Sequence, residues 1–185
     1  MVFERVIEGK DHLWSVRDRS KQKNEIALLF EQWSNIDFLL DFFIKNLEDL
    51  KSYFNVIRIS EAIEYTLEDC QHLEKKILDY PSTENLDYLF KPLSSSDALL
   101  MEMSREKARV FDRIYPPSWL RVYAIRLEKN VYVITGGAIK LTRTMQERSH
   151  TLEQLEMMNK CKDFLLANKV FDADSFIAFS EEENL

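Results

Sequence analysis

The sequence predicts an α+β fold in which a helical first half leads into a run of antiparallel strands. Three observations carry this. Apolar residues recur at helical spacing from Ile26 to Phe54. Strand-like segments follow at 99–103, 119–127 and 131–140. Glycine and proline number only 3 and 4 among 185 residues, which favours long elements joined by few loops.

The elements follow in order. Residues 12–18 alternate Leu13 and Ser15 against Trp14 and Val16, which suits a short strand. A charged turn from Arg19 to Lys23 comes next. Ile26, Leu29, Trp33, Ile36, Leu40, Phe43, Leu47, Leu50 and Phe54 then form a stripe with a mean spacing of about 3.5 residues. Leu28, Phe30, Leu39 and Phe42 broaden it, which points to helices packed on a core rather than to a narrow coiled-coil seam. Ser34-Asn35 can divide the stripe into two helices. A further helix is expected from Ser60, a capping residue, to Tyr80, where Pro81 stops it. Ile63, Leu67, Cys70, Leu73 and Ile77 line its inner face. Residues 82–96 read as a polar connection holding the short apolar stretch Leu86 to Leu93. After the three strands, a last helix runs from Thr151 to Asn168 with Leu152, Leu155, Met158, Cys161 and Leu165 inward. The acidic end, Ser180 to Leu185, is expected to be disordered. The organisation is a single domain over 1–185, with a helical block at 24–80, a sheet core at 86–147, a C-terminal helix at 151–168 and an acidic tail at 180–185. The helices are expected to gather on one face of a small sheet.

Composition narrows the classes. Hydrophobic residues at 45% and charged residues at 31% are ordinary for a globular protein. No apolar run is long enough to cross a membrane, and the charged N-terminus has no leader-like apolar stretch. Two cysteines, Cys70 and Cys161, do not make a disulfide framework. A reduced cytoplasmic setting is the expectation. The net charge of −7 is unevenly spread. Arg105 to Arg148 holds ten Lys/Arg and four Asp/Glu, a net +6, which leaves −13 on the remainder. A basic strand region inside an acidic chain suggests a surface that meets phosphate.

Alternation along a strand sharpens that idea. In 119–127, Arg121, Tyr123, Ile125 and Leu127 share one face, and Leu120, Val122, Ala124 and Arg126 the other. If Lys129-Asn130 is a two-residue hairpin loop, Arg121 lies opposite Ala138 and Tyr123 opposite Gly136. Tyr132 and Lys140 are then expected on the Arg121 face, where a base stacks on Tyr123 or Tyr132 while Arg121 and Lys140 hold phosphate. A three-residue loop slips the register and turns Lys140 away.

The spacing Lys91-Pro92-Leu93, Leu100-x-Glu102, Leu120-Arg121-Val122-Tyr123, Gly137-x-Ile139-Lys140-x-Thr142, followed by a charged helix, resembles RelE/HigB-like toxins of type II toxin–antitoxin pairs. The likeness covers the second half of the chain. It implies a RelE/HigB-like antiparallel sheet, carrying here an enlarged N-terminal helical block. It also implies messenger RNA cleavage on the ribosome without metal or other cofactor, and neutralisation by a small antitoxin protein. Arg121 and Lys140 match the basic functional positions of that family. Two features differ: the family often has Glu-x-Arg in the first of its three strands, where this chain has Glu102-Met103-Ser104, and its members are usually shorter and basic.

Metal-free RNA cleavage needs a base for the 2′-hydroxyl proton, cations for the phosphorane oxygens and an acid for the leaving oxygen. Lys140, Arg121 and Arg143 are the catalytic candidates for charge stabilisation. Tyr123, Tyr132 and Arg126 are the RNA-binding candidates. A lysine of lowered pKa or a tyrosine suits proton transfer, with His150 a weaker choice. The structural alternatives stand beside these. Arg121 and Arg126 pair with the acidic helices, Lys140 is a solvated strand end, Gly136-Gly137 marks a bulge, and both tyrosines pack across strands. Trp14, Trp33 and Trp119 read as core or interface anchors. No metal site is expected, because Cys70 and His72 face different ways on their helix. A non-catalytic interaction module on the same fold, or a helical homodimer through the Ile26–Phe54 stripe, would account for the same sequence without nuclease chemistry.

Overall fold

The stripe from Ile26 to Phe54 is cut by asparagines. Helix α1 spans Glu25–Trp33 and begins at Asn24, whose side chain accepts from the Ala27 N–H at 3.2 Å. Helix α2, Ile36–Lys45, begins at Asn35, which accepts from the Phe38 N–H at 3.0 Å. Helix α3, Leu47–Phe54, ends at Asn55 with a left-handed φ of 54°. Asparagine satisfies helix-end groups and tolerates that conformation. The Ser34-Asn35 division expected from the sequence is present, and Asn46 adds a second one. Helix α4 runs Ile59–Leu78, so one face carries Ala62, Thr66, Cys70, Leu73 and Ile77 inward. The computed structural model describes residues 1–56, 58–78, 86–98, 103–110 and 115–183. Residues 99–102 of the first expected C-terminal strand, and Tyr80, lie outside the described residues.

The strands are β1 (Val2–Arg5), β2 (Leu13–Arg17), β3 (Phe90–Pro92), β4 (Ser104–Ala108), β5 (Leu120–Glu128) and β6 (Val131–Ile139). They make one mixed sheet in the order β1-β2-β6-β5-β4-β3. This corrects the expected small antiparallel sheet. β1 and β3 extend its two edges, and β2 pairs parallel with β6, Trp14 opposite Val133. A parallel pair needs a long connection; here it runs through the helical block to β3 at the far edge and returns through β4 and β5 to β6. Two short helices, α5 (Leu86–Leu89) and α6 (Ser95–Ala98), flank β3.

Helices cover both faces of the sheet, not one. The first four pack a core on one face around Trp33, Phe43, Leu50, Trp119 and Tyr132. Helices α7 (Ser149–Ala167) and α8 (Ala173–Glu183) cover the other, around Phe3, Trp14, Tyr123, Met158 and Phe176. The chain needs this second layer because β2, β5 and β6 are apolar on both sides: Leu120 to Ile125, apart from Arg121, is fully buried. Trp14, Trp33 and Trp119 are each 1% exposed and anchor the core as expected. Over residues 180–183, helix α8 also corrects the expected disordered tail, while 184 and 185 lie outside the described residues. Ser180 is buried and donates to the Ile177 carbonyl at 2.9 Å, and Glu181 approaches Arg5 at 3.8 Å.

Two irregularities shape the β5–β6 hairpin. The pairs Arg121↔Ala138 and Tyr123↔Gly136 match a two-residue loop at Lys129-Asn130. Between them and the turn the register shifts twice, at Arg126/Glu128 and at Tyr123/Ala124, in opposite senses. The shifts cancel at the far end but not in the middle, where Tyr132 stands opposite Arg126. A bulge reverses side-chain parity along the strand it enters. Gly136 holds the second shift with a φ of +155°, and an added Cβ there would run into the Gln154 carboxamide.

Candidate functional site

Strand β4 alternates. Ser104, Glu106 and Ala108 are buried on the side of the helical block, and Arg105 and Lys107 project half-buried on the opposite face. Lys107 lies opposite Tyr123 of β5, and Arg121 enters that same face two residues earlier. Beyond β6, Lys140 and the loop from Arg143 to Gln146 close the group. These side chains line one cavity of about 380 Å³, with Arg109, Leu93, Ser94 and, from α7, Leu155. Six cations face it: Arg105, Lys107, Arg109, Arg121, Lys140 and Arg143. No carboxylate is among its described lining residues.

Backbone carbonyls, rather than acids, hold several of these charges. Arg121 Nη1 donates to the Ser118 and Leu120 carbonyls, both at 2.7 Å. Lys140 Nζ donates to the Thr142 and Arg143 carbonyls, both at 2.6 Å. Lys107 Nζ has a long contact of 3.4 Å to the Leu93 carbonyl. Arg105 differs, since Asp97 takes its Nε and Nη2 at 3.1 Å each, and Asn159 takes Nη1 at 3.0 Å. Arg105 thereby pins α6 and α7 to the cavity's edge.

The electrostatics follow from burial and from like charge. Burial first, then the neighbouring Arg121 and Arg109, lower the Lys107 pKa below the ordinary lysine value. Burial, Arg121 and Lys107 lower that of Lys140. Burial pushes Arg121 down to about 10. Burial pushes the Tyr123 phenol above its usual range, so it stays a neutral donor. Its hydroxyl is fully buried with no hydrogen-bond partner among the described residues. A bound anion would relieve the repulsion between the cations.

The structure therefore brings Arg121, Lys140, Arg143 and Tyr123 together and separates the other two expected residues. Tyr132 faces the helical block, stacked on Phe90 with ring centroids 4.6 Å apart, and its hydroxyl donates to Asp87 at 2.6 Å. Arg126 lies on that side too, 3.6 Å from Asp87. Both lie through the sheet from the cavity and are corrected as RNA-binding residues: the register shifts turn Tyr132 there, and plain alternation along β5 places Arg126 on the face opposite Arg121. Tyr123 lines the cavity but is 0% exposed, so the expected stacking of a base on it is also corrected. His150 lines a different cavity, against Phe42, with its Nε2 2.9 Å from the Ile139 carbonyl. Arg105, Lys107 and Arg109 were missing from the sequence-derived site. The alternation Arg105-x-Lys107-x-Arg109 was the available signal, obscured by an expected strand ending at residue 103.

Among the described residues, no group of three or more His, Cys, Asp or Glu is placed to hold a metal ion, and no helix is long and apolar enough to cross a membrane. No family model matches the chain, and no curated protein or solved structure does.

Proposed function

We propose that this chain is a toxin-like protein of a toxin–antitoxin pair that binds RNA or the ribosome, and cleaves messenger RNA without metal, at the basic cavity. The observation that supports the reading is the convergence of six cations on one cavity whose described lining carries no carboxylate. Such a site favours a phosphodiester over a neutral ligand. The order of elements agrees, because RelE/HigB-like toxins usually combine an early strand and two helices with three antiparallel strands, as β2, the helical block and β4-β5-β6 do here.

The chemistry divides among named groups. The 2′-oxygen attacks the adjacent phosphorus, and the bond from phosphorus to the 5′-oxygen breaks. Lys107, the less firmly held of the two lysines, takes the 2′-hydroxyl proton in its neutral form. Arg121, Arg143 and protonated Lys140 stabilise the charge on the phosphorane oxygens. A proton from water passes to the 5′-oxygen. The antitoxin covers the basic face with acidic or apolar helical segments, and the cytoplasm is the setting for both.

Expression of the chain alone tests this. Growth arrest that Arg121→Ala with Lys140→Ala relieves, at equal soluble expression, is the expected result. Normal growth with soluble wild-type chain overturns the toxin reading and favours a non-catalytic interaction module.

One surface favours an added role in self-association. Ile36, Leu40 and Ile44 recur on the outer side of α2 and are 57%, 43% and 57% exposed. A homodimer through α2 predicts a dimeric mass in solution that falls to monomer on Leu40→Glu.

A further inference from the structure

Burial of Tyr123 and Tyr132 leaves the phosphate site without a partner for nucleic-acid bases. Two other tyrosines stand at the same end of the sheet. Tyr115, just before β5, is 68% exposed, and Tyr53, near the end of α3, is 42% exposed. Both hydroxyls are tied down: Tyr115 donates to the Phe54 carbonyl at 3.3 Å, and Tyr53 to Glu147 at 3.4 Å.

Two short chains of contact join them to the cavity. Phe54 packs on Trp119 at 5.3 Å between centroids, and the Trp119 carbonyl accepts the backbone N–H of Lys140 at 2.8 Å. Glu147 accepts from the Thr144 N–H at 2.6 Å and from its hydroxyl at 2.9 Å, and Thr144 lines the cavity. Tyr53 thus stands one side chain beyond the cavity-lining Thr144, and Tyr115 is held against the end of α3 next to it.

We propose that Tyr53 and Tyr115 form a stacking platform for bases of a single-stranded RNA whose phosphate occupies the basic cavity. The proposal rests on the phosphate reading of that cavity. A tyrosine held by its hydroxyl presents its ring with little entropy left to lose, and base stacking on aromatic side chains is sequence-tolerant. A duplex hides the faces of its bases, so the platform selects single strands. The Glu147 carboxylate does not compete for the phosphate, because Thr144 and Tyr53 occupy it.

Fluorescence anisotropy with a short labelled single-stranded RNA tests the platform, alongside thermal shift with inorganic phosphate on the same chains. Tyr53→Ala and Tyr115→Ala are each expected to weaken RNA binding by about five- to a hundredfold. Neither should change the response to inorganic phosphate, and Tyr115→Phe, which keeps the ring but loses its tie to the Phe54 carbonyl, should bind RNA between the wild type and Tyr115→Ala. Duplex RNA of the same sequence should bind more weakly than the single strand. Unchanged RNA affinity in both alanine variants overturns the platform and leaves the phosphate site standing. Loss of the phosphate response in the same variants also overturns it, since the rings would then act by supporting the cavity. Wild-type chain that responds to phosphate but binds no RNA overturns the RNA reading itself.

Discussion

Lys107 lies directly opposite Tyr123 across β4 and β5, and the Tyr123 hydroxyl is buried without a hydrogen-bond partner among the described residues. Around this pair, Arg121 and Lys140 add two charges whose hydrogen bonds, among the described residues, go to backbone carbonyls. Such an arrangement is electrostatically unfavourable when empty and favourable around an anion.

The first prediction concerns pH and phosphate. The Lys107 and Lys140 pKa values are lowered in the folded chain, below the ordinary value of 10.5. The unfolded chain then binds more protons than the folded one between each lowered value and 10.5, so stability rises with pH across that window. Phosphate reverses the penalty. At about a hundred times its dissociation constant it should stabilise the chain by about 2.7 kcal/mol near neutral pH. That gain should shrink as the lysines lose their protons. Thermal denaturation across pH, with and without phosphate, measures both effects.

The cavity's lysine should be a liability to the empty protein. Lys107→Met removes a half-buried charge that Arg121 and Arg109 repel and keeps much of its apolar stem. The variant is expected to melt at a higher temperature than the wild type without phosphate, and to lose most of the phosphate-induced shift. A lower melting temperature for the empty variant would mean that the lysine supports the fold.

Gly137 is required by contact. A Cβ there would stand 2.6 Å from the Arg121 carbonyl and 2.8 Å from Leu29 Cδ1. The carbonyl belongs to a central strand and cannot swing aside. Gly137→Ala should destabilise by about 1–3 kcal/mol in denaturant titration, and should weaken phosphate binding through the displaced Arg121.

Tyr132 serves stability and not the cavity. Its hydroxyl donates to Asp87, which also accepts the Asn130 N–H at 2.9 Å and ties the β5–β6 turn to α5. Tyr132→Phe should destabilise by about 1.5 kcal/mol, in the range for a hydrogen bond to a charged group. Its phosphate response should equal that of the wild type.

Cys161 is fully buried, and burial pushes its thiol up to about 12. The thiolate is the reactive form. Reaction with an aromatic disulfide reagent at neutral pH should therefore be limited by opening of the α7 layer, and should become fast only in denaturant.

The amino-acid sequence by itself determined what short-range chemistry governs. Apolar spacing gave the helices, with Asn24, Asn35 and Asn46 at their boundaries. A two-residue turn at Lys129-Asn130 predicts Arg121 opposite Ala138 and Tyr123 opposite Gly136, and that pairing is present because two opposite register shifts cancel between the turn and these residues. Only the tertiary structure decided the rest. The compensating shifts around Tyr123 and Leu127 turn Tyr132 through the sheet, and a bulge reverses parity without leaving a mark in the alternation itself. The parallel seating of β2 beside β6 joins segments more than a hundred residues apart, which no local pattern encodes. The cavity depends on side chains from β4, β5 and the end of β6 meeting on one face. Their convergence is a property of strand order, and strand order is set by how two apolar sheet faces are buried at once.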